Sequence, residues 1–381
     1  MSLSLLFSLL KSQHIRDVDH ALAMSLQRLQ ADTSELVCIA TALASKAHSL
    51  GHSCVPVDKF NDLLKEASSM PSALLPGVNE FVAALEESAW VGKGTAESCV
   101  LVLDGNTIAL KRYWAYENRL AAALRQRLAI KIVPLSATVQ NYWTQLFSDD
   151  INSEQATAAR RACGATFFLL TGGPGTGKTA TIGRLLQLLH YQAAETSTTL
   201  RIGLAAPTGK AATRLSESLR ATLDPLDSTH KNFKQIDIQT IAAKTLHRLL
   251  GSKPNSVQFE HNAQHPLSLD VLIVDEASMI DLPLMCKLLE ALPPQARLIL
   301  VGDPDQLPSV ETGNVLRACC DAIASRPVSE QHRSHLDRVY RQAADSDIGL
   351  AAQIVLSGDS GQFIHGLQQG IYRGLHWQAT N

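Results

Sequence analysis

The chain has 381 residues, of which 45% are hydrophobic and 18% are charged, and its formal net charge is −2. This composition is typical of a globular protein with two or three domains, and it gives no compositional sign of a nucleic-acid partner. It does not exclude one, because a binding groove needs only a local group of Lys and Arg side chains. The seven cysteines are scattered and lack CxxC spacing, which favours reduced thiols in a cytoplasmic protein over disulfides or zinc.

The chain begins with a short apolar run, MSLSLLFSLL, without a preceding basic region. The run is shorter than the ~20 residues of a membrane span, so we expect a buried first helix and no membrane segment. Leucines at helical spacing, interrupted by prolines, predict short helices up to about residue 98. Two apolar runs then flank Asp104-Gly105-Asn106, which predicts a β-hairpin over residues 99–110.

A basic and aromatic cluster, Lys111-Arg112-Tyr113-Trp114, follows the predicted hairpin. Stacking and phosphate contact would suit a nucleic acid, whereas a strand end that packs its rings and exposes its cations is the structural alternative. We expect residues 1–115 to form a helical N-terminal domain with a hairpin. Residues 116–152 are expected to be a helix followed by a linker.

Residues 153–330 show apolar runs that alternate with helical stretches. The runs predicted to be strands are 166–170, 202–206, 271–274 and 298–301. Repeated strand–helix units predict a parallel sheet covered on both faces. Ligands of such sheets bind beyond the carboxyl ends of the strands. The sequence therefore predicts an α/β fold in this region, preceded by a mainly α domain.

The first of these strands runs into GGPGTGKT, which opens a helical segment. This is the P-loop spacing, in which glycines let backbone N–H groups point at phosphate oxygens and the helix adds its positive end. Lys178 would reach the β- and γ-phosphates of a nucleoside triphosphate, and the Thr179 hydroxyl would hold Mg²⁺. A chance glycine loop is the alternative. The predicted nucleotide contacts are Gly172, Gly173, Pro174, Gly175, Thr176, Gly177, Lys178 and Thr179.

Polar residues also follow the third and fourth predicted strands. Asp275 is predicted to accept the Mg²⁺ hydration shell, and Glu276 to orient and deprotonate an attacking water. An exposed acidic pair that caps the next helix is the alternative. Gln306, in GDPDQLPSV, is long and neutral, which suits contact with a γ-phosphate or with the attacking water.

A second phosphate-binding surface is predicted after the second strand, in APTGKAATRL. Thr208 and Lys210 begin a helix there, and a polynucleotide backbone is a natural occupant of such an end. Ordinary helix capping by Thr208 is the alternative. His247, in TLHR, marks another short surface for nucleic-acid contact, although a lone histidine is more often structural.

The ordered motifs GGPGTGKT, APTGKAATRL, TLHRLLG, LIVDEASMIDLPLM and VGDPDQLPSV resemble those of superfamily one DNA helicases. More narrowly, with GHSCVP and the strand pair ending in KRYW, the chain resembles the RecD family, the alpha subunits of bacterial exodeoxyribonuclease V. The resemblance implies a RecA-like ATPase lobe with ATP and Mg²⁺, and a 5′-to-3′ motor on single-stranded DNA in recombinational repair of double-strand breaks. It also implies an N-terminal domain that docks on the gamma subunit and a nuclease centre in the beta subunit.

The resemblance assigns roles to individual residues, and it matches the nucleotide, metal and DNA roles argued above. Gln155 matches the position that recognises adenine, and Glu154 stands where the family often has an aromatic residue. Arg341 resembles an arginine finger, which offers its guanidinium to the γ-phosphate. A surface arginine on a helix is the alternative reading of Arg341.

Residues 331–381 are expected to begin a second motor lobe, and no late motifs of such a lobe follow before Asn381. We therefore expect a C-terminally truncated chain that holds nucleotide but does not step, because translocation requires two lobes that close and open. An ATP-binding assembly module without motor activity stays open as an alternative. A different P-loop enzyme, such as a phosphotransferase, is a second one, against which APTGKAATRL and GDPDQLPSV argue.

Overall fold

The computed structural model describes residues 4–65, 76–92, 99–227, 242–307, 312–326, 329–340, 347–372 and 375. The chain divides into two compact units. The first unit consists of Met1–Ala123, Ile280–Leu289 and Pro308–Val315. The second unit consists of Leu124–Met279, Glu290–Leu307 and Leu316–Asn381. In the described ranges, no helix has the length and apolar character needed to cross a membrane.

The first unit is mainly helical. Its helices from the start of the chain are α1 Ser4–Lys11, α2 Asp17–Leu29, α3 Glu35–Ser49, α4 Phe60–Lys65, α5 Val78–Glu87 and most of α6 Lys111–Leu128. Its strands are β1 Cys54–Pro56, β2 Val91–Gly92, β3 Leu101–Asp104 and β4 Thr107–Leu110, which form a sheet in the order β1–β4–β3–β2. The apolar run of α3 is buried from Val37 to Ser45 and forms the centre of this unit's core.

The predicted hairpin is confirmed. β3 and β4 pair antiparallel with Asp104 opposite Thr107, so Gly105 and Asn106 form a two-residue loop. Gly105 has φ +60°, a left-handed conformation that glycine adopts without strain. The basic and aromatic cluster lies in a different element from the predicted strand end, because Lys111 begins α6.

The segment 116–152 contains the rest of α6 and a further helix, α7 Ala137–Leu146. Ser136 caps α7 by accepting a hydrogen bond from the Val139 N–H at 3.1 Å. Trp143 is buried, and its indole N–H donates to the Ala156 carbonyl oxygen at 2.9 Å. α7 thus contributes apolar side chains to the core of the second unit.

The second unit contains a six-stranded parallel sheet in the order β10–β5–β9–β8–β6–β7. The strands are β5 Phe167–Gly172, β6 Ile202–Ala206, β7 Lys244–Thr245, β8 Val271–Val274, β9 Arg297–Gly302 and β10 Arg333–Leu336. The remaining helices are α8 Glu154–Gly164, α9 Lys178–Glu195, α10 Gly209–Asp227, α11 Leu246–Leu250, α12 Leu282–Ala291 (mostly in the first unit), α13 Val315–Ala324, α14 Ser329–His332, α15 Asp347–Ser357 and α16 Ser360–Gln368.

The four predicted strands are confirmed as β5, β6, β8 and β9, and so is the predicted α/β fold with a mainly helical region before it. Every residue of β5 and β8 is buried, as expected for parallel strands covered on both faces. β10 has the sequence RSHL, with a single apolar residue, and was not predicted. It matters for function because it pairs with β5 up to Gly172, so the chain leaves β10 beside the P-loop.

Arg127 of α6 fixes the connection that leads into β9. Its side chain is 2% exposed, and burial lowers its pKa to about 10, so it stays protonated at neutral pH. Its guanidinium donates to four carbonyl oxygens at 2.6–3.2 Å, those of Leu292, Pro293, Pro294 and Ala296. Backbone acceptors thus take the place of a carboxylate, and they hold the start of the strand that ends at the predicted phosphate sensor.

Candidate nucleotide-binding site

The loop between β5 and α9 has the geometry of a phosphate cradle. Gly175 and Gly177 have φ of +80° and +86°, the left-handed region that favours glycine. Lys178 is the first residue of α9, and its ammonium folds back to donate to the carbonyl oxygens of Gly172 at 2.6 Å and Gly173 at 2.8 Å. A Cβ built at Gly173 would meet no atom within 4 Å, so there is open space beside the loop at this glycine.

The charges of three carboxylates act on the Lys178 ammonium. Burial lowers the pKa of Lys178, while the charges of Asp303, Asp275 and Glu276 raise it. These residues follow β9 and β8. In the sheet, β9 lies between β5 and β8. The structure therefore brings the predicted pair Asp275 and Glu276 to the P-loop lysine, at the carboxyl ends of three neighbouring strands.

Asp303 was missed by the sequence reasoning. It is 6% exposed, and its Oδ1 accepts a hydrogen bond from the Asp305 N–H at 3.0 Å. In the motif GDPDQ, Gln306 was the predicted site residue. The Gln306 side chain is exposed, and its backbone N–H donates to the Asp303 carbonyl oxygen at 3.3 Å. The signal for Asp303 was its place directly after a buried strand, which is the same signal that identified Asp275.

Asp275 is a partly buried carboxylate directly after β8. Burial raises its pKa from 3.8 to about 6, against the opposing effects of the Glu276 amide and the charge of Lys178. The Glu276 N–H donates to Asp275 Oδ1 at 2.9 Å, and the Asp275 N–H donates to the Ala205 carbonyl oxygen at 2.9 Å. These bonds fix the carboxylate at the sheet edge, where an anion without a cation of its own is unfavourable.

Glu276 has φ +52°, which is left-handed for a residue with a side chain. Such a conformation is unfavourable by roughly 1–2 kcal/mol and persists where the surrounding structure imposes it. A short 3-10 turn follows directly, and the Met279 N–H donates to the Glu276 carbonyl oxygen at 3.1 Å. The strained backbone turns the Glu276 side chain away from the direction that an extended strand would give it.

Gln155 also contacts the P-loop. It is 8% exposed, and its Nε2 donates to the Thr176 carbonyl oxygen at 3.2 Å. A Cβ at Gly177 would overlap that nitrogen, so a glycine is required there for Gln155 to approach. Its contact with adenine stays a prediction.

An aromatic residue that the sequence reasoning did not single out also reaches the loop. Tyr340 follows β10, and its N–H donates to the Gly175 carbonyl oxygen at 2.9 Å. Its side chain is 51% exposed, and the Arg338 guanidinium lies 5.0 Å from the ring centroid. The signal was present in the sequence VYRQ, where Tyr340 directly precedes Arg341. Arg341 itself lies outside the described residues.

The predicted DNA contacts follow β6 and β7, on the side of the sheet away from β10. The Thr208 hydroxyl accepts from the Ala211 N–H at 3.2 Å and so caps α10, where Lys210 is exposed in the first turn. His247 of α11 is exposed, with its ring edge against the Phe259 ring at a centroid distance of 5.7 Å. The DNA roles of Thr208, Lys210 and His247 stay predictions.

Comparison with known proteins gives two family matches. Residues 11–108 match the family described as the N-terminal domain of RecBCD enzyme subunit RecD. Residues 155–312 match the family described as an AAA domain, a match that implies nucleotide binding. The two matches cover the helical region and the lobe that carries the P-loop.

Curated relatives also match this chain. The RecBCD enzyme subunit RecD of Mycolicibacterium smegmatis is 37% identical over 348 residues, which are 91% of this chain and 58% of the relative. The subunit of the same name from Haemophilus influenzae is 38% identical over 235 residues, which are 59% of this chain and 35% of the relative. The ATP-dependent RecD2 DNA helicase of Deinococcus radiodurans is 37% identical over 246 residues, 64% of this chain and 29% of that protein.

This chain spans a little over half the length of the mycobacterial relatives that it matches. The similarity to them extends over about nine tenths of this chain and includes both the N-terminal region and the P-loop lobe. With a RecD-specific match at residues 11–108 and a candidate nucleotide-binding site at the expected edge of the sheet, the chain is similar to RecD subunits over most of its length.

Proposed function

We propose that this chain carries the ATP-binding motor lobe of a RecD subunit, the alpha subunit of exodeoxyribonuclease V. The complete subunit would move 5′-to-3′ along single-stranded DNA with ATP and serve double-strand break repair by recombination. The observation that carries the proposal is the sheet order. It puts the predicted nucleotide contacts after β5, β9 and β8 and the predicted DNA contacts after β6 and β7, as neighbours along one edge.

The residues at this edge suit ATP and Mg²⁺. The open space beside the P-loop at Gly173 and the half-buried Lys178 ammonium suit phosphate oxygens. Thr179 and Asp275 offer a hydroxyl and a carboxylate, the hard oxygen donors that Mg²⁺ prefers beside phosphate oxygens. When bound, Mg²⁺ would supply charge neutralisation on the transferred phosphoryl group.

Each functional residue of the chain then has its own role. Lys178 binds the β- and γ-phosphate oxygens once they replace the carbonyl acceptors of Gly172 and Gly173. Glu276 holds the attacking water at its carboxylate and takes its proton. Gln306 contacts the γ-phosphate, and Gln155 recognises adenine. Arg341 adds a guanidinium that stabilises the charge of the transition state.

The proposed function also involves partner subunits. Residues 1–115 would dock on the gamma subunit, and the nuclease centre would belong to the beta subunit, in a cytoplasmic heterotrimer. Among the described residues, which include all seven cysteines, no disulfide is formed and six of the cysteines are buried, which accords with a reducing compartment. The alternative, an ATP-binding assembly module without motor activity, would show nucleotide binding and subunit docking without any response to DNA.

The response of nucleotide affinity to DNA tests this function. We expect a short oligo-dT strand to change the affinity for a non-hydrolysable ATP analogue by about fivefold or more, since binding at coupled sites is reciprocal. Lys210→Ala should abolish most of this change. It should also reduce the slope of log DNA affinity against log salt concentration by about the amount expected for one lost phosphate contact. Lys59→Ala, an exposed lysine of the first unit, is the matched control. Equal analogue affinity with and without DNA would favour the assembly module instead.

A further inference from the structure

Glu154, the first residue of α8, makes contacts that its neighbour Gln155 does not. Its Oε2 accepts hydrogen bonds from the Asp337 N–H at 2.7 Å and from the Arg338 N–H at 3.3 Å. Hydrogen bonds to an ionised carboxylate are stronger than those between neutral groups. The side chain therefore ties the start of α8 to the chain as it leaves β10.

The segment that receives these bonds is residues 337–340, here called the exit segment. At its far end, the Tyr340 N–H donates to the Gly175 carbonyl oxygen of the P-loop at 2.9 Å. The Tyr340 ring lies 3.7 Å from the position of a Cβ built at Gly177. The exit segment is thus held at one end by Glu154 and at the other end by the P-loop, and it presents a half-exposed aromatic ring beside the nucleotide site.

We propose that Glu154 is a positioning residue for nucleotide binding, which acts by holding the exit segment so that Tyr340 borders the P-loop. The proposal rests on the function proposed above, because it takes the site to bind ATP. Without the carboxylate, the amides of Asp337 and Arg338 would turn to water, and the Tyr340 N–H bond to Gly175 would remain as the backbone anchor of the exit segment. Residues 337–340 also lead directly into Arg341, the proposed arginine finger.

A second acid provides a matched control on the same segment. The Asp150 carboxylate lies 3.3 Å from the Arg338 guanidinium, in an ion pair whose side chains are 49% exposed at Asp150 and 67% exposed at Arg338. Exposed ion pairs of this kind stabilise a structure little. Asp150→Ala therefore removes a carboxylate that contacts the exit segment, and it leaves in place the hydrogen bonds from the backbone of that segment to Glu154.

The test combines nucleotide affinity with amide exchange on the whole chain. We expect Glu154→Ala to weaken ATP binding about tenfold and Glu154→Gln by about threefold or less, because the amide oxygen still accepts from the backbone. Asp150→Ala should stay within about twofold of the wild type. In the absence of nucleotide, the amides of Asp337 and Arg338 should exchange faster in Glu154→Ala than in the other two variants.

A double-mutant cycle shows whether Glu154 acts through Tyr340. In a Tyr340→Ala background, Glu154→Ala should weaken ATP binding by no more than about twofold, since the ring it positions is gone. Equal losses in Glu154→Ala and Glu154→Gln, or fully additive losses with Tyr340→Ala, would overturn the positioning role. Unchanged amide exchange in Glu154→Ala would overturn it as well. Absence of ATP binding by the wild-type chain would instead refute the proposed function, and the exchange rates would still decide whether Glu154 anchors the exit segment.

Discussion

Replacement of Glu276 by Gln is expected to lower the rate of ATP hydrolysis by about 10²–10⁴-fold, the usual contribution of a general base. Glutamine has the same shape but does not take a proton from water. The left-handed backbone at Glu276 is as strained for Gln as for Glu, so the substitution changes the chemistry without relaxing the loop. Nucleotide affinity should therefore stay within about twofold of the wild type.

Single-turnover hydrolysis with DNA present, measured beside equilibrium binding of the nucleotide, separates the two effects. Glu217→Gln, an exposed acid of α10, is the control and should hydrolyse ATP at the wild-type rate. A Glu276→Gln variant that hydrolyses ATP at a rate near that of the wild type would remove Glu276 from the proposed mechanism. So would a variant that loses nucleotide binding in proportion to its loss of hydrolysis.

Asp275→Asn is expected to abolish Mg²⁺-dependent hydrolysis and at the same time to stabilise the chain in the absence of nucleotide. Burial raises the pKa of Asp275 to about 6, so the native state holds this proton more tightly than the unfolded state does. The contribution of Asp275 to the free energy of unfolding therefore falls as the pH rises from about 4 to about 6. At neutral pH the buried charge is unfavourable by roughly 3 kcal/mol, which the asparagine removes.

Thermal unfolding without nucleotide, at pH 4 and at pH 7.5, checks this sign. The gain in stability from Asp275→Asn should be present at pH 7.5 and nearly absent at pH 4. Asp270→Asn is a control with the opposite sign, because the hydrogen-bonded Arg201 guanidinium lowers the pKa of Asp270. Its substitution should reduce stability slightly at pH 7.5. Loss of stability in both variants at pH 7.5 would contradict the account of Asp275.

The fold could be predicted where burial left a clear pattern. β8 reads VLIV and β9 contains LILV, and such continuous apolar runs are typical of parallel strands with helices on both faces. The hairpin was predictable from Asp104-Gly105-Asn106, because a two-residue loop needs a residue that tolerates positive φ. α7 and β10 were not predictable, since α7 lies in a region that reads as a connection and β10 is an edge strand with alternating burial.

The candidate site likewise contains residues that were predictable from the sequence and a residue that was not. Lys178, Asp275 and Glu276 were predicted from motifs that follow buried strands, and the structure places them in electrostatic reach of one another. Tyr340 was not predicted as part of the site, because it reaches the P-loop through the pairing of β10 with β5. That pairing joins segments about 165 residues apart, and local sequence patterns carry no information on such contacts.

The measurement that tests the central claim most directly is the affinity of the chain for MgATP with and without the P-loop ammonium. We expect Lys178→Ala to weaken MgATP binding by at least about tenfold, because the substitution removes a half-buried cation that would bind the phosphate oxygens. Lys59→Ala should bind MgATP as the wild type does, since this lysine is exposed in the first unit. Equal affinity of Lys178→Ala and wild type in a calorimetric titration would contradict the assignment of Gly172–Thr179 as the triphosphate site.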